Sequence, residues 1–124
     1  MQTIKFRGKS LNTEKWVYGD LRQSGKRKFV EYEVNPETVC QFIGIENEGI
    51  ELYEHDLIEC AGILCEIVYN DKIGAFVLLE VLTQNIGNKP IVQMIDMFGI
   101  KNIGNIYDNL ELLKWVEYEN ERNN

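Results

Sequence analysis

The stretch Leu57-Ile-Glu-Cys-Ala-Gly-Ile-Leu-Cys-Glu-Ile-Val68 constrains the fold more than any other part of the chain. Ala61-Gly62 has the chemistry of a two-residue hairpin loop, and such a loop fixes the pairing residue by residue: Cys60 falls opposite Ile63 and Ile58 opposite Cys65. Ile58, Cys60, Ile63, Cys65 and Ile67 then share one face of a sheet, which their composition makes a core face. Glu59 and Glu66 stand among Leu57, Leu64 and Val68 on the other face, which is only partly exposed.

The rest of the chain follows the same pattern of short apolar or alternating runs cut by Gly, Asn, Asp and Pro. Thr3 to Gly8 alternates Ile4 and Phe6 against Lys5 and Arg7, which predicts a strand that buries the Ile4/Phe6 face. Trp16, Tyr18 and Leu21 resume the alternation around Gly19-Asp20, predicting a second strand with a bulge or bend, paired with the first as a hairpin. Gln23-Ser-Gly-Lys26 is turn chemistry. Phe29 to Val34 predicts a strand that ends in the corner Val34-Asn-Pro-Glu-Thr-Val39, because proline restricts the residue before it and removes a ladder donor. Thr38 to Ile45 supplies another strand, closed by Glu46-Asn-Glu-Gly49.

Beyond the central hairpin, Asn70-Asp-Lys-Ile-Gly74 makes a turn. Ala75 to Leu82 is so apolar that it predicts a strand covered on both sides, the centre of a barrel or sandwich. Thr83 to Pro90 has the composition of a functional loop. Ile91 to Phe98 reads as a further strand. Asp108 or Asn109 can cap a short helix that starts at Leu110 and continues through Leu113 and Val116, before a polar, frayed tail from Glu119. Together these elements predict a mainly β protein, a small antiparallel barrel with an SH3-like second half. An N-terminal β lobe occupies 1–48, and the barrel with its C-terminal helical segment occupies 49–124, as two units or as parts of one compact domain. The stretch from Gly49 to Cys60 joins them, with Gly49, Tyr53, Glu54 and Asp56 as a structural hinge.

Composition narrows the function. At 124 residues with 44% hydrophobic side chains, the chain has enough core to stand without a disulfide or metal staple. The formal charge of −7 disfavours nonspecific attraction to phosphate backbones or anionic membranes, although it leaves room for a local basic surface. The N-terminus lacks the apolar run of a signal peptide and no segment is long enough for a membrane helix. Three irregularly spaced cysteines fit a reducing compartment. These features predict a cytoplasmic protein with no membrane contact.

Candidate chemistry was weighed residue by residue. Glu54, His55 and Asp56 carry the only histidine, but neighbouring strand residues point to opposite faces, so acid, base and orienter do not converge there without a turn. Cys60 and Cys65 sit at the edge of zinc-ligand spacing, on a face otherwise made of isoleucines, where cysteine behaves as a small hydrophobe. No phosphate-binding glycine loop and no familiar nucleophile motif occurs. The expectation is therefore no catalytic residue, no metal and no cofactor. The basic cluster Arg22, Lys26, Arg27 and Lys28 beside Phe29 is the one feature that suggests a binding surface. It could meet a protein partner, or nucleic acid through cations on phosphate with Phe29 or Tyr32 stacked on a base.

Several motifs occur in an order that resembles the YopX family of small bacteriophage and prophage proteins. They are Lys5-Phe-Arg-Gly8, Trp16-Val-Tyr-Gly-Asp-Leu21, Val34-Asn-Pro-Glu-Thr-Val39 with Gln41-Phe42 and Gly44, and Tyr53-Glu54 with Asp56. Gly74 with Phe76 and Ile103-Gly-Asn-Ile-Tyr-Asp-Asn109 with Glu111-Leu-Leu113 complete the series. The resemblance implies a mostly β, cytosolic, phage-derived protein and brings no catalytic set to map. It also implies a departure: the resembling turn reads Tyr-Glu-Gly-Asp, and His55 stands where that glycine would be, so a positive φ there would strain this chain. The sequence expectation is thus a non-enzymatic phage or prophage accessory protein that acts by protein–protein contact, including contact with itself as a homo-oligomer. The alternative is a nucleic-acid-binding small barrel that uses the basic N-terminal lobe.

Overall fold

The computed structural model describes residues 3–113. The protein is mainly β, and the chain divides into two compact units, Met1–Tyr53 and Glu54–Asn124. The first unit holds two antiparallel sheets. Strands β1 (Phe6–Lys9), β2 (Trp16–Gly19), β6 (Cys40–Asn47) and β7 (Ile50–Tyr53) lie in the order β2-β1-β6-β7, and β3 (Leu21–Ser24), β4 (Arg27–Val30) and β5 (Tyr32–Val34) form a three-stranded meander. The expected β1–β2 hairpin is present, with Lys9 opposite Trp16. Where a bend was expected at Gly19-Asp20, the chain instead leaves one sheet for the other, Gly19 taking φ 153°. Glu31, at φ 64°, likewise splits the expected Phe29–Val34 strand into β4 and β5. Because Ile50–Tyr53 pairs with β6, with Phe42 opposite Tyr53, it belongs with the first unit.

The proline corner folds as its residues dictate. Asn35 Oδ1 accepts the Glu37 amide at 3.1 Å and Pro36 opens the 3-10 turn Pro36–Thr38. Thr38 Oγ1 then accepts the amide of Lys9 at 2.8 Å, tying the corner to β1. The buried residues of this unit include Val30, Val34, Cys40, Phe42, Leu52 and Tyr53.

Burial at the start of the chain departs from the expected alternation: Ile4, which precedes β1, is 69% exposed, Phe6 is half-buried and Arg7 is only 6% exposed. The Arg7 guanidinium carbon lies 4.5 Å from the Trp16 ring centre and 4.8 Å from that of Tyr53. A planar, weakly hydrated guanidinium stacks well on aromatic faces, so here the charge is the buried residue and the aliphatic side chain is not. Lys5 Nζ donates to both Glu51 carboxylate oxygens at 2.8 and 2.7 Å and holds that carboxyl below its ordinary range. The pair therefore contributes stability at neutral pH that is lost as pH falls through the depressed carboxylate pKa.

The second unit is a four-stranded antiparallel sheet curled into a half-barrel. It is formed by β8 (Asp56–Cys60), β9 (Ile63–Asn70), β10 (Ala75–Glu80) and β11 (Lys101–Asn105) in the order β10-β9-β8-β11. The central hairpin has the expected register, Cys60 opposite Ile63 and Ile58 opposite Cys65. Ala61 at φ 52° and Gly62 at φ 80° supply the two positive φ values that a twisted two-residue loop requires.

Two expectations fail here. Ala75 to Leu82 is not central: β10 is an edge strand, and Leu82 is 52% exposed. Its apolar character is used partly on Tyr69, whose ring meets Phe76 edge-on at 5.3 Å, and partly on residues 85–87, which lie along its outer edge. Ile91–Phe98 is not a strand but a helix, α1, packed against β10 and β8. Pro90 starts it and Gly99, at φ 70°, ends it, while Ile91, Met94, Ile95 and Phe98 recur at helical spacing. Residues 110–113 are helical as expected from Leu110. The continuation of that helix through Val116 and the polar tail lie outside the described residues.

A bulge interrupts β11 between Asn102 and Gly104. A side chain at Gly104 would overlap the Asn109 carboxamide oxygen, which accepts the Asn105 amide at 3.0 Å. Gly104→Ala is thus expected to cost about 1–2 kcal/mol in urea unfolding, the value of a displaced hydrogen bond. The same change made on an Asn109→Ala background is expected to cost less, and additive losses would contradict this assignment.

Candidate functional site

The basic hairpin β3–β4 turns at Gly25, φ 61°, with Ser24 opposite Arg27. This register sets Arg22 directly across from Phe29. Arg22 and Arg27 each hold their guanidinium carbon 5.2 Å from the Phe29 ring centre, so two cations share one aromatic. Arg27 also donates to both oxygens of Glu33, Nε at 3.0 Å and Nη2 at 2.7 Å, and the exchange lowers the Glu33 pKa. Strand alternation puts Lys28 on the opposite face from Arg27 and Phe29, opposite Gln23 and Val34, and Lys26 at the tip. Of the five residues read as one cluster, the structure brings Arg22, Arg27 and Phe29 together and separates Lys26 and Lys28 from them.

Beside this sheet lies an open hollow of about 560 Å³ lined by Leu11, Asn12, Thr13, Val17, Tyr32 and Glu33, with Ser10 at its base. Ser10 Oγ accepts the amides of Asn12 and Thr13 at 3.2 and 3.3 Å, and the Leu11 amide donates to Glu33 O at 3.0 Å. The loop that forms one wall is therefore anchored to β5. Leu11 and Tyr32 nevertheless stay 55% and 64% exposed, two large apolar bodies at the rim of one concavity. Sequence reading considered Tyr32 only as a base-stacking residue. It passed over Leu11, whose setting in the polar run Ser10-Leu-Asn-Thr-Glu14 was the available signal.

The hinge residues take separate duties. Gly49, φ 80°, completes the β6–β7 turn, where Glu48 also has positive φ. Tyr53 is buried between Tyr18 and Phe42, ring centres 5.7 and 5.5 Å away, and donates its hydroxyl to Glu51 at 3.2 Å. Burial, then the Glu51 charge, raise its pKa. Asp56 is buried at the start of β8, opposite Asn105.

Between them His55 adopts φ 72°, so of the two outcomes open at the position where the resembling turns carry glycine, a relaxed turn or a left-handed histidine, this chain takes the second. Its amide donates to Ile67 O at 2.8 Å and its carbonyl accepts the Ile106 amide at 3.1 Å. Nδ1 lies 2.7 Å from Glu66, Nε2 lies 4.0 Å from Glu54, and the ring meets Tyr107 edge-on at 6.2 Å. Glu66 was not anticipated as a partner. The hairpin register held the signal, since it places Glu66 opposite Leu57, diagonal to position 55. The arrangement cross-ties three segments of the second unit through one residue. Among the described residues no three His, Cys, Asp or Glu side chains are arranged to hold a metal ion, and no helix is long and apolar enough to cross a membrane.

The family model described as YopX protein matches residues 21–114, and the chain belongs to that family. No curated protein matches the chain.

His55→Ala and His55→Gly both remove the Glu66 contact, but only glycine relieves the left-handed backbone, so the glycine variant is expected to be more stable than the alanine variant by about 1 kcal/mol. Thermal or urea unfolding of the pair checks this, and equal stabilities would mean that position 55 carries no backbone strain.

Proposed function

We propose that this YopX protein is a phage or prophage accessory protein without catalytic activity, working in the cytoplasm of the bacterial host by binding a protein partner, a second copy of itself included. The observation that carries this reading is the hollow in the first unit. A concavity that exposes a leucine and a tyrosine among amide and hydroxyl groups combines the large apolar or aromatic anchors and the polar groups from which contact sites are built. Family membership supports the phage setting. Leu11→Asp with Tyr32→Asp is expected to leave the fold intact and to reduce partner capture or self-association at least tenfold. Light scattering and affinity purification from host cells measure it, and an unchanged assembly would refute the role of the hollow.

A second reading, nucleic-acid binding, rests on the cations of the hairpin. Among the described residues no carboxylate is ion-paired with Arg22, Lys26 or Lys28, whereas Arg27 is committed to Glu33. This reading predicts binding that weakens with salt and is lost when Arg22, Lys26 and Lys28 are changed to alanine, while Arg27→Ala has the smaller effect. Absence of binding to single- and double-stranded DNA and RNA at low salt would end it.

A further inference from the structure

The second unit contains a cavity of about 410 Å³ between the core face of β8–β10, the 85–89 segment and α1. Its floor is formed by Cys60, Cys65 and Leu78, and Met94 and Phe98 of α1 line another side. Both cysteines are free and almost fully buried, each 4% exposed. Burial pushes the Cys65 thiol up to about 11 and that of Cys60 upward as well, so at neutral pH both present uncharged sulfur to the cavity. The size lies within the range of small-molecule sites, roughly 300–1,000 Å³.

The wall opposite α1 is built rather than loose. The Glu80 amide donates to Asn85 O at 2.9 Å, the Gly87 amide donates to Leu78 O at 2.9 Å, and Asn70 Nδ2 donates to Gly87 O at 2.9 Å. A Cβ at Gly87 would stand 2.9 Å from Leu78 O, so the close approach of this segment requires glycine. The mouth is apolar, with Ile63, Ile86 and Phe98 all more than 40% exposed.

Two ionisable side chains other than the thiols line the cavity, and they differ. The Glu80 carboxylate accepts the Thr83 hydroxyl at 2.7 Å. Lys89 is exposed and no ion pair engages it among the described residues. It stands one residue before Pro90, the N-cap of α1, whose first turn has neither an acidic residue nor a side-chain cap, so the positive end of the helix adds to the lysine charge. Glu80 keeps its negative charge but turns it to the exposed bond with Thr83, so an apolar interior with Lys89 at its rim complements a molecule of apolar body and anionic end.

We infer that this cavity is a binding site for a small amphipathic carboxylate, its apolar chain against the two thiols, Leu78, Met94 and Phe98 and its carboxylate at Lys89. The site is independent of the partner-binding hollow and needs no second protein to be tested.

The test uses the whole chain and decanoate as probe, at concentrations where decanoate stays monomeric, with decanol and decyltrimethylammonium as matched neutral and cationic probes. Calorimetric titration is expected to show one decanoate per chain, bound at least tenfold more tightly than either control. Lys89→Glu is expected to weaken decanoate by about tenfold or more and to leave decanol unchanged, while Lys89→Arg retains binding. No decanoate binding, equal affinity for the three probes, preference for the cation, or decanoate binding that Lys89→Glu leaves unchanged would each overturn the assignment.

Discussion

Two consecutive residues with positive φ, Ala61 and Gly62, govern the second unit. They turn the chain with the same twist as the strands on either side, and so set β8 against β9 without an extra residue. Because side chains alternate along a strand, a slip of one position would rotate Ile58, Cys60, Cys65 and Ile67 out of the core and put Glu59 and Glu66 into it. Everything described for that unit inherits this register: the thiol floor of the cavity, the seat of α1 over β8 and β10, and the approach of Glu66 to His55. Alanine is not a natural occupant of the left-handed region, so the hydrophobic gain from the faces it places must exceed the local strain.

In the first unit a charge occupies the position that such packing normally gives to an aliphatic residue. Arg7 of β1, between Trp16 and Tyr53, is inside, and Lys5, just before the strand and paired with Glu51, stays nearer the surface. Two electron-rich ring faces replace part of the hydration that the guanidinium loses on burial. Lysine lacks that planar match and stays at the edge with a carboxylate. Tyr53 serves both arrangements at once, through its ring face to Arg7 and its hydroxyl to Glu51.

How much of this was legible in the sequence differs by element, for physical reasons. Tight turns were readable because their chemistry is local: Ala61-Gly62, the Asn35-Pro36 corner and the Glu46–Gly49 turn act through φ and through nearby hydrogen bonds. The helix Ile91–Phe98 was misread as a strand because isoleucine, valine and methionine suit both states over eight residues. Its deciding marks were present in Pro90 before it and Gly99 after it. The burial of Arg7 was missed because alternation ranks arginine as solvent-facing, and only tertiary structure brings Trp16 and Tyr53 against its guanidinium. The edge position of β10 could not be read either, since a loop lying on a strand hides apolar side chains as well as another strand does. As for the sites, the basic residues were visible but not their division between two faces. The hollow and the cavity are shapes that arise only when distant segments meet.

Residues 85–87 do more than complete a cavity wall. Leu78 O accepts the Gly87 amide and the Glu80 amide donates to Asn85 O, so this part of β10 spends outward hydrogen-bonding groups on its own chain. An open apolar edge is a template on which a second chain can pair, and the short segment laid along this one removes part of that template.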